Sequence, residues 1–233
     1  MHVIGLIGGT SWESTTVYYR LLNEEVKQRL GGLHSARILL VSLDGGAIEE
    51  LMRHDQWDEV GRHLADAARS LQVGGAEMIL LCSNTTHQCA DAVEAAVTLP
   101  VIHIVDPTAD AVEQAGIARV GLLGTRYTME RRFLRDRLKA RGLEVIVPGE
   151  PDRTTIHDIQ FKELVLGKLL DSSRRAFVET IGHLVDMGAE GVILGCTEFG
   201  MLIGPSDTSV PLFDTTVLHA RRAVDIALAE TVG

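Results

Sequence analysis

Cys196 has the most chemistry to offer in this sequence, because the aliphatic run Val192-Ile193-Leu194 ends in Gly195 and delivers the thiol, then Thr197 and Glu198, to what reads as a strand-to-helix junction. Free backbone N–H groups at a helix start can lower a thiol's pKa and raise its thiolate fraction. This placement predicts a functional thiol rather than a small buried hydrophobe. Cys82 ends another apolar run and Cys89 follows in a helical stretch, so both are assigned to packing. Three cysteines, an odd number without short metal-type spacing, predict neither a disulfide framework nor a zinc site.

Three more loops share the form of a strand end opening into a helix: Gly8-Gly9-Thr10-Ser11, Ser83-Asn84-Thr85 and Gly124-Thr125. Such loops favour a carboxylate, and their hydroxyl and amide groups suit a small ligand rich in oxygen. Helix capping alone would also explain Thr10, Ser11, Thr85 and Thr125.

The elements that must position these loops are legible as alternating periods. Buried strands are expected at Val3–Ile7, Arg37–Leu43, Met78–Leu81, Val101–Val105, Val120–Leu123, Glu144–Val147, Val192–Leu194 and Pro211–Phe213. Helical spacing links Tyr18, Leu21, Leu22 and Val26, then Val60, Leu64, Ala67, Ala68 and Leu71, then Phe177, Ile181, Leu184 and Val185. Thr10 with Glu13 reads as a capping box, Asp106-Pro107 as a helix start, and Gly142 and Gly188 as left-handed helix ends. Strand and helix alternate, so the sheets should be mostly parallel.

The two halves also resemble each other. Ala76–Thr85 lies without gaps on Ala189–Glu198, which sets Ser83 on Cys196. Ile4–Gly8 resembles Val120–Gly124, and Leu99–Ile102 resembles Val210–Phe213, in the same order. The expected fold is therefore α/β, with two pseudo-symmetric Rossmann-like domains joined near Ala115–Ala118. The first is residues 1–115, completed by 210–233, and the second is 116–209. Units of this kind commonly place a site in the cleft between them.

With 45% hydrophobic residues, the 233-residue chain can bury a substantial core, and a formal charge of −10 argues against nucleic acid. Neither a secretory signal nor a bilayer-spanning run is evident, which predicts a cytoplasmic protein with no membrane partner.

The stretches Gly8–Thr15, Cys82-Ser83-Asn84-Thr85-Thr86-His87, Leu123–Met129, Gly195-Cys196-Thr197-Glu198 and Phe213-Asp214-Thr215 resemble the aspartate/glutamate racemases that work without pyridoxal phosphate. The likeness covers nearly the whole chain. It implies no cofactor, a small acidic amino-acid substrate and a homodimer. Family members exchange the α-proton between two cysteines, one per half, and Cys196 matches the second. Ser83 stands where the first would be. A serine hydroxyl can return a proton to a carbanion but is a reluctant base without activation, which implies an asymmetric, L-selective enzyme with Cys196 as base. Cys82 is a poor substitute, because neighbouring side chains on a strand point to opposite faces.

The resemblance further implies that Gly9, Thr10, Ser11, Asn84, Thr85, Thr125 and Thr197 hold the substrate, with Glu198 in support. Arg53 and Lys162 could supply a cation but read as solvated helix faces. Met52 stands where a polar residue is expected. His87, past the Ser83 loop, could orient Ser83 or its loop or simply cap or pack in the helix it begins, and is given no catalytic role.

Other chemistries fit less well. Neither glycine loop gives G-x-G-x-x-G, the Walker lysine is missing, and no G-x-S-x-G elbow occurs. Lys27, Lys139, Lys162 and Lys168 lie outside the site loops, against a pyridoxal phosphate enzyme. The alternatives left open are a sister carbanion chemistry, of the arylmalonate decarboxylase or hydantoin racemase kind, and an amino-acid-binding protein without activity.

Overall fold

Short aliphatic runs form seven strands among the described residues, 1–229, of a computed structural model. In chain order the elements are β1 (Ile4–Gly8), α1 (Trp12–Leu30), β2 (Ile38–Ser42), α2 (Gly45–Arg53), α3 (Trp57–Val73), β3 (Met78–Leu81), a 3-10 turn (Thr85–Cys89) and α4 (Ala90–Glu94). There follow α5 (Val105–Gln114), β4 (Arg119–Gly124), α6 (Arg126–Glu130), α7 (Arg132–Ala140), β5 (Glu144–Ile146), α8 (Asp152–Lys162) and α9 (Asp171–Asp186). The last are β6 (Gly191–Gly195), α10 (Phe199–Leu202), β7 (Leu212–Asp214) and α11 (Thr215–Leu228). No helix is long and apolar enough to cross a membrane among these residues.

Two compact units result. One holds residues 1–104 with 219–229, and the other holds Val105–Leu218. The first contains a parallel sheet of order β2-β1-β3, the second a parallel sheet of order β5-β4-β6-β7.

The repeat seen in the sequence reappears as register. Ile4 pairs with Met78 as Val120 pairs with Gly191, and Ile79 bridges Val101 as Val192 pairs with Leu212. Even a polar detail is shared: Glu77 accepts the Val3 N–H at 2.6 Å, and Glu190 accepts the Arg119 N–H at 3.1 Å.

Each unit has its own core. In the first, Tyr18, Leu22 and Val26 of α1 pack with Ile4, Leu6, Met78 and Leu80, while Val60, Leu64, Ala68 and Leu71 of α3 pack with Ile7, Ile79 and Leu81. In the second, Phe177, Ile181 and Leu184 of α9 cover Val192 and Leu194. Fully burying one such side chain contributes roughly 1.5–3 kcal/mol. Met52 is half-buried against the α3 cluster, so an apolar residue suits that place.

Three local expectations are corrected. Only Val101 pairs in the stretch expected as a strand over Val101–Val105, because α5 starts at Val105. Asp106 therefore lies inside the first turn, with Pro107 where no intrahelical N–H is required. The Asp106 carboxylate grips Arg137 at 2.8 and 2.9 Å.

The cap of α1 is Ser11 rather than Thr10. Ser11 is extended and its Oγ accepts the Ser14 N–H at 3.1 Å, while Glu13 accepts from the Ser11 hydroxyl. Ser11→Ala should cost about 1 kcal/mol and lower Tm by about 2–4 °C in a thermal melt. An unchanged Tm would remove the cap from the stability of this unit.

The third correction concerns the boundary. Residues 105–115 and 210–218 both belong with the second unit. Arg141, just past α7, reaches Asp110 and Glu113 of α5, and β7 pairs with β6. Gly142 and Gly188, with φ of 85° and 96°, end α7 and α9 in the left-handed region as expected.

Candidate active site

The site loops follow from strand register. Ile7 pairs with Leu81, which sends Gly8–Ser11 and Ser83–Thr85 out from adjacent strand ends. Gly124 pairs with Gly195, which does the same for Thr125 and Cys196 in the second unit.

The Gly9 turn is built for close approach. Its φ of 85° is one that side-chain-bearing residues rarely adopt. Its N–H donates to Thr15 Oγ1 at 2.9 Å, and the Gly8 carbonyl accepts from the Leu43 N–H at 2.9 Å. Thr10 and Ser11 are half-buried beside it.

Ser83 is half-buried at the end of β3, with Asn84 and Thr85 buried after it. The Ser83 carbonyl accepts from Thr86 Oγ1 at 3.1 Å and contacts His87 Nδ1 at 2.8 Å. His87 Nε2 accepts the Ile104 N–H at 3.2 Å, so the ring proton belongs on Nδ1, donated to Ser83. The imidazole, buried against His103 and His219, thus pins the Ser83 backbone. Of the roles the sequence leaves open for His87, this contact is the orienting one.

The second unit's loop carries a denser polar group. Cys196 Sγ donates to Glu198 Oε2 at 2.9 Å, Thr197 Oγ1 donates to the same oxygen at 2.7 Å, and Gln160 Nε2 does so at 3.0 Å. All four residues are buried. Thr125 is buried too and caps α6, accepting the Thr128 N–H at 3.3 Å.

Electrostatics here overturn the expected activation of the thiol by a helix. Burial, and then the Glu198 charge and hydrogen bond, push the Cys196 thiol well above the ordinary cysteine range, outweighing the backbone N–H groups of Thr197 and Glu198. The helix that follows is the four-residue α10, too short for a strong dipole. A carboxylate in contact with the sulfur, rather than a dipole, is the group that can move the thiol proton. Burial raises Cys82 as well, and raises Cys89 to about 11, which fits two packing cysteines.

Gln160 was not found from sequence. Its signal is a polar residue four positions after Ile156 on the buried face of α8. Arg53 and Lys162 lie on solvated helix faces, paired with Glu49 at 3.7 Å and Asp158 at 2.8 Å. Among the described residues no group of three His, Cys, Asp or Glu side chains gathers as a metal site.

Comparison with known proteins shows the family. The family model for Asp/Glu/hydantoin racemase matches residues 7–223. The chain is similar to the crystal structure of a candidate Asp/Glu racemase from Yersinia pestis, with 49% identity, TM-score 0.92, and coverage of 98% of this chain and 100% of that one. It is also similar to that of an aspartate racemase homologue from Pyrococcus horikoshii OT3, with 33% identity, TM-score 0.88, and coverage of 97% and 99%. The broad specificity amino-acid racemase RacX of Bacillus subtilis is 24% identical over 180 residues, 74% of each chain. A glutamate racemase of Koribacter versatilis is 27% identical over 187 residues, 76% of this chain and 60% of its own length. With the family model spanning all but the two ends, the chain belongs to the Asp/Glu/hydantoin racemase family.

Proposed function

We propose that this protein racemises a small acidic amino acid, aspartate or glutamate, without a cofactor, with Cys196 as the base for the L-enantiomer. The observation that carries the reading is the 2.9 Å contact from Cys196 Sγ to Glu198 Oε2. The Sγ–H bond breaks, its proton passes to Glu198, and the electron pair stays on sulfur. The thiolate then takes the α-proton, leaving the C–H electron pair on Cα. Ser83, or water held by it, delivers a proton to the opposite face, and solvent restores Ser83 and Glu198 to their starting states.

Substrate oxygens are assigned to Gly9, Thr10, Ser11, Asn84, Thr85, Thr125 and Thr197, and polar groups of these loops other than the Gly9 N–H and the Thr197 hydroxyl stabilise charge developing on the α-carboxylate. The loops are unequal in a way that supports this division of labour. Thr85 occupies the place equivalent to Glu198, so the Ser83 loop lacks a carboxylate of its own there. Ser83 is therefore cast as the proton donor to a strongly basic carbanion rather than as the base.

Incubating purified protein in D₂O with L- or D-aspartate or L- or D-glutamate should replace the α-proton by deuterium, followed by NMR. The amino acid that exchanges fastest is the substrate. No exchange from any of the four would overturn the proposal.

A further inference from the structure

We infer that Gln160 is a positioning residue of the Cys196–Glu198 pair, its amide serving the carboxyl group in both protonation states; this rests on the racemase reading above. Gln160 is 3% exposed and projects from α8 beside Ile156 and Ile159, members of the second unit's apolar cluster. Its Nε2 donates to Glu198 Oε2, the oxygen that Cys196 and Thr197 also reach. Its other amide atom, Oε1, is buried and accepts no hydrogen bond among the described residues.

A buried amide acceptor without a partner carries a desolvation penalty that an apolar side chain of equal length would avoid. The proton cycle gives that atom a use. An ionised carboxylate only accepts hydrogen bonds, whereas a protonated one also offers an O–H. When the Cys196 proton moves to Glu198, the Sγ–H bond is replaced by an O–H bond and the carboxyl group becomes a donor. A half-turn of the Gln160 amide about its last side-chain bond exchanges Nε2 for Oε1. The residue then accepts from the acid as it previously donated to the anion. The atom unsatisfied in the resting state is the one that the proton-loaded state needs.

The test compares wild type, Gln160→Met and Gln160→Glu in the D₂O exchange assay with L-aspartate and L-glutamate over a range of pH, with folding checked by thermal melts. Methionine keeps length and packing but removes both roles. It should lower kcat about tenfold or more while KM stays within about twofold. Glutamate restores a donor only when protonated, so activity relative to wild type should recover as pH falls. A purely structural role would not produce that recovery. Active wild type with variants of unchanged kcat and parallel pH profiles overturns the inference alone. Wild type that exchanges neither amino acid overturns the racemase reading, and this inference with it.

Discussion

Cys196→Ala is expected to lower α-proton exchange from L-aspartate or L-glutamate by about 10³-fold, the scale on which a positioned proton-transfer group acts. The substitution removes the sulfur that the polar group around Glu198 is arranged to serve. It removes little else, because Ala fits where the smaller part of Cys already packs, and the melt of the variant should stay close to wild type. The loss should appear in kcat rather than in KM, since the thiol contributes to moving the proton more than to holding the carboxylates. Wild-type exchange in this variant would remove Cys196 from the chemistry and leave the Ser83 loop as the place to look.

Glu198→Gln separates two effects that normally oppose each other. The amide keeps the shape but cannot take the thiol proton, so exchange should fall about 10²-fold. The same change removes the negative charge facing Sγ. A nearby anion disfavours a thiolate, so its loss must bring the Cys196 pKa down from the raised position that burial and Glu198 impose. Thiolate absorbance near 240 nm, measured against pH with Cys196→Ala as the blank, should therefore show a transition at lower pH in the variant. A less active enzyme with a more acidic thiol is the signature of a carboxylate acting as base. An unmoved thiol transition would mean that Glu198 does not govern the sulfur.

Much of the fold was legible because its strands are continuous aliphatic runs and its helices repeat apolar residues every three or four positions. Ile4–Gly8 and Gly191–Gly195 are buried throughout, as parallel strands covered on both faces should be. What failed were choices between neighbours. Thr10 and Ser11 are both competent caps, and the turn at Gly9 decides for Ser11. Val101–Val105 has strand composition, yet a helix begins at its last residue.

The place of Cys196 at the end of β6 was readable, but its electrostatic surroundings were not. The Cys196 environment depends on Glu198 folding back toward the sulfur and on Gln160 arriving from 38 residues away. No short motif encodes that distance. The units divide differently from the expected halves for a related reason: α5 follows directly on the first unit yet is held by Arg137 and Arg141 of the second, and β7 pairs with β6 of the unit it follows.

The unequal equipment of the two equivalent loops, a carboxylate-backed thiol at 196–198 and hydroxyls at 83–85, also meets a thermodynamic constraint. Mirror-image amino acids have equal free energy in water, so kcat/KM must be the same for both directions of a racemase, whatever groups deliver the protons. Chemical asymmetry in the protein cannot tilt the final mixture. It can only be expressed as a trade between turnover and saturation, with whichever enantiomer is bound more tightly being turned over more slowly in the same proportion.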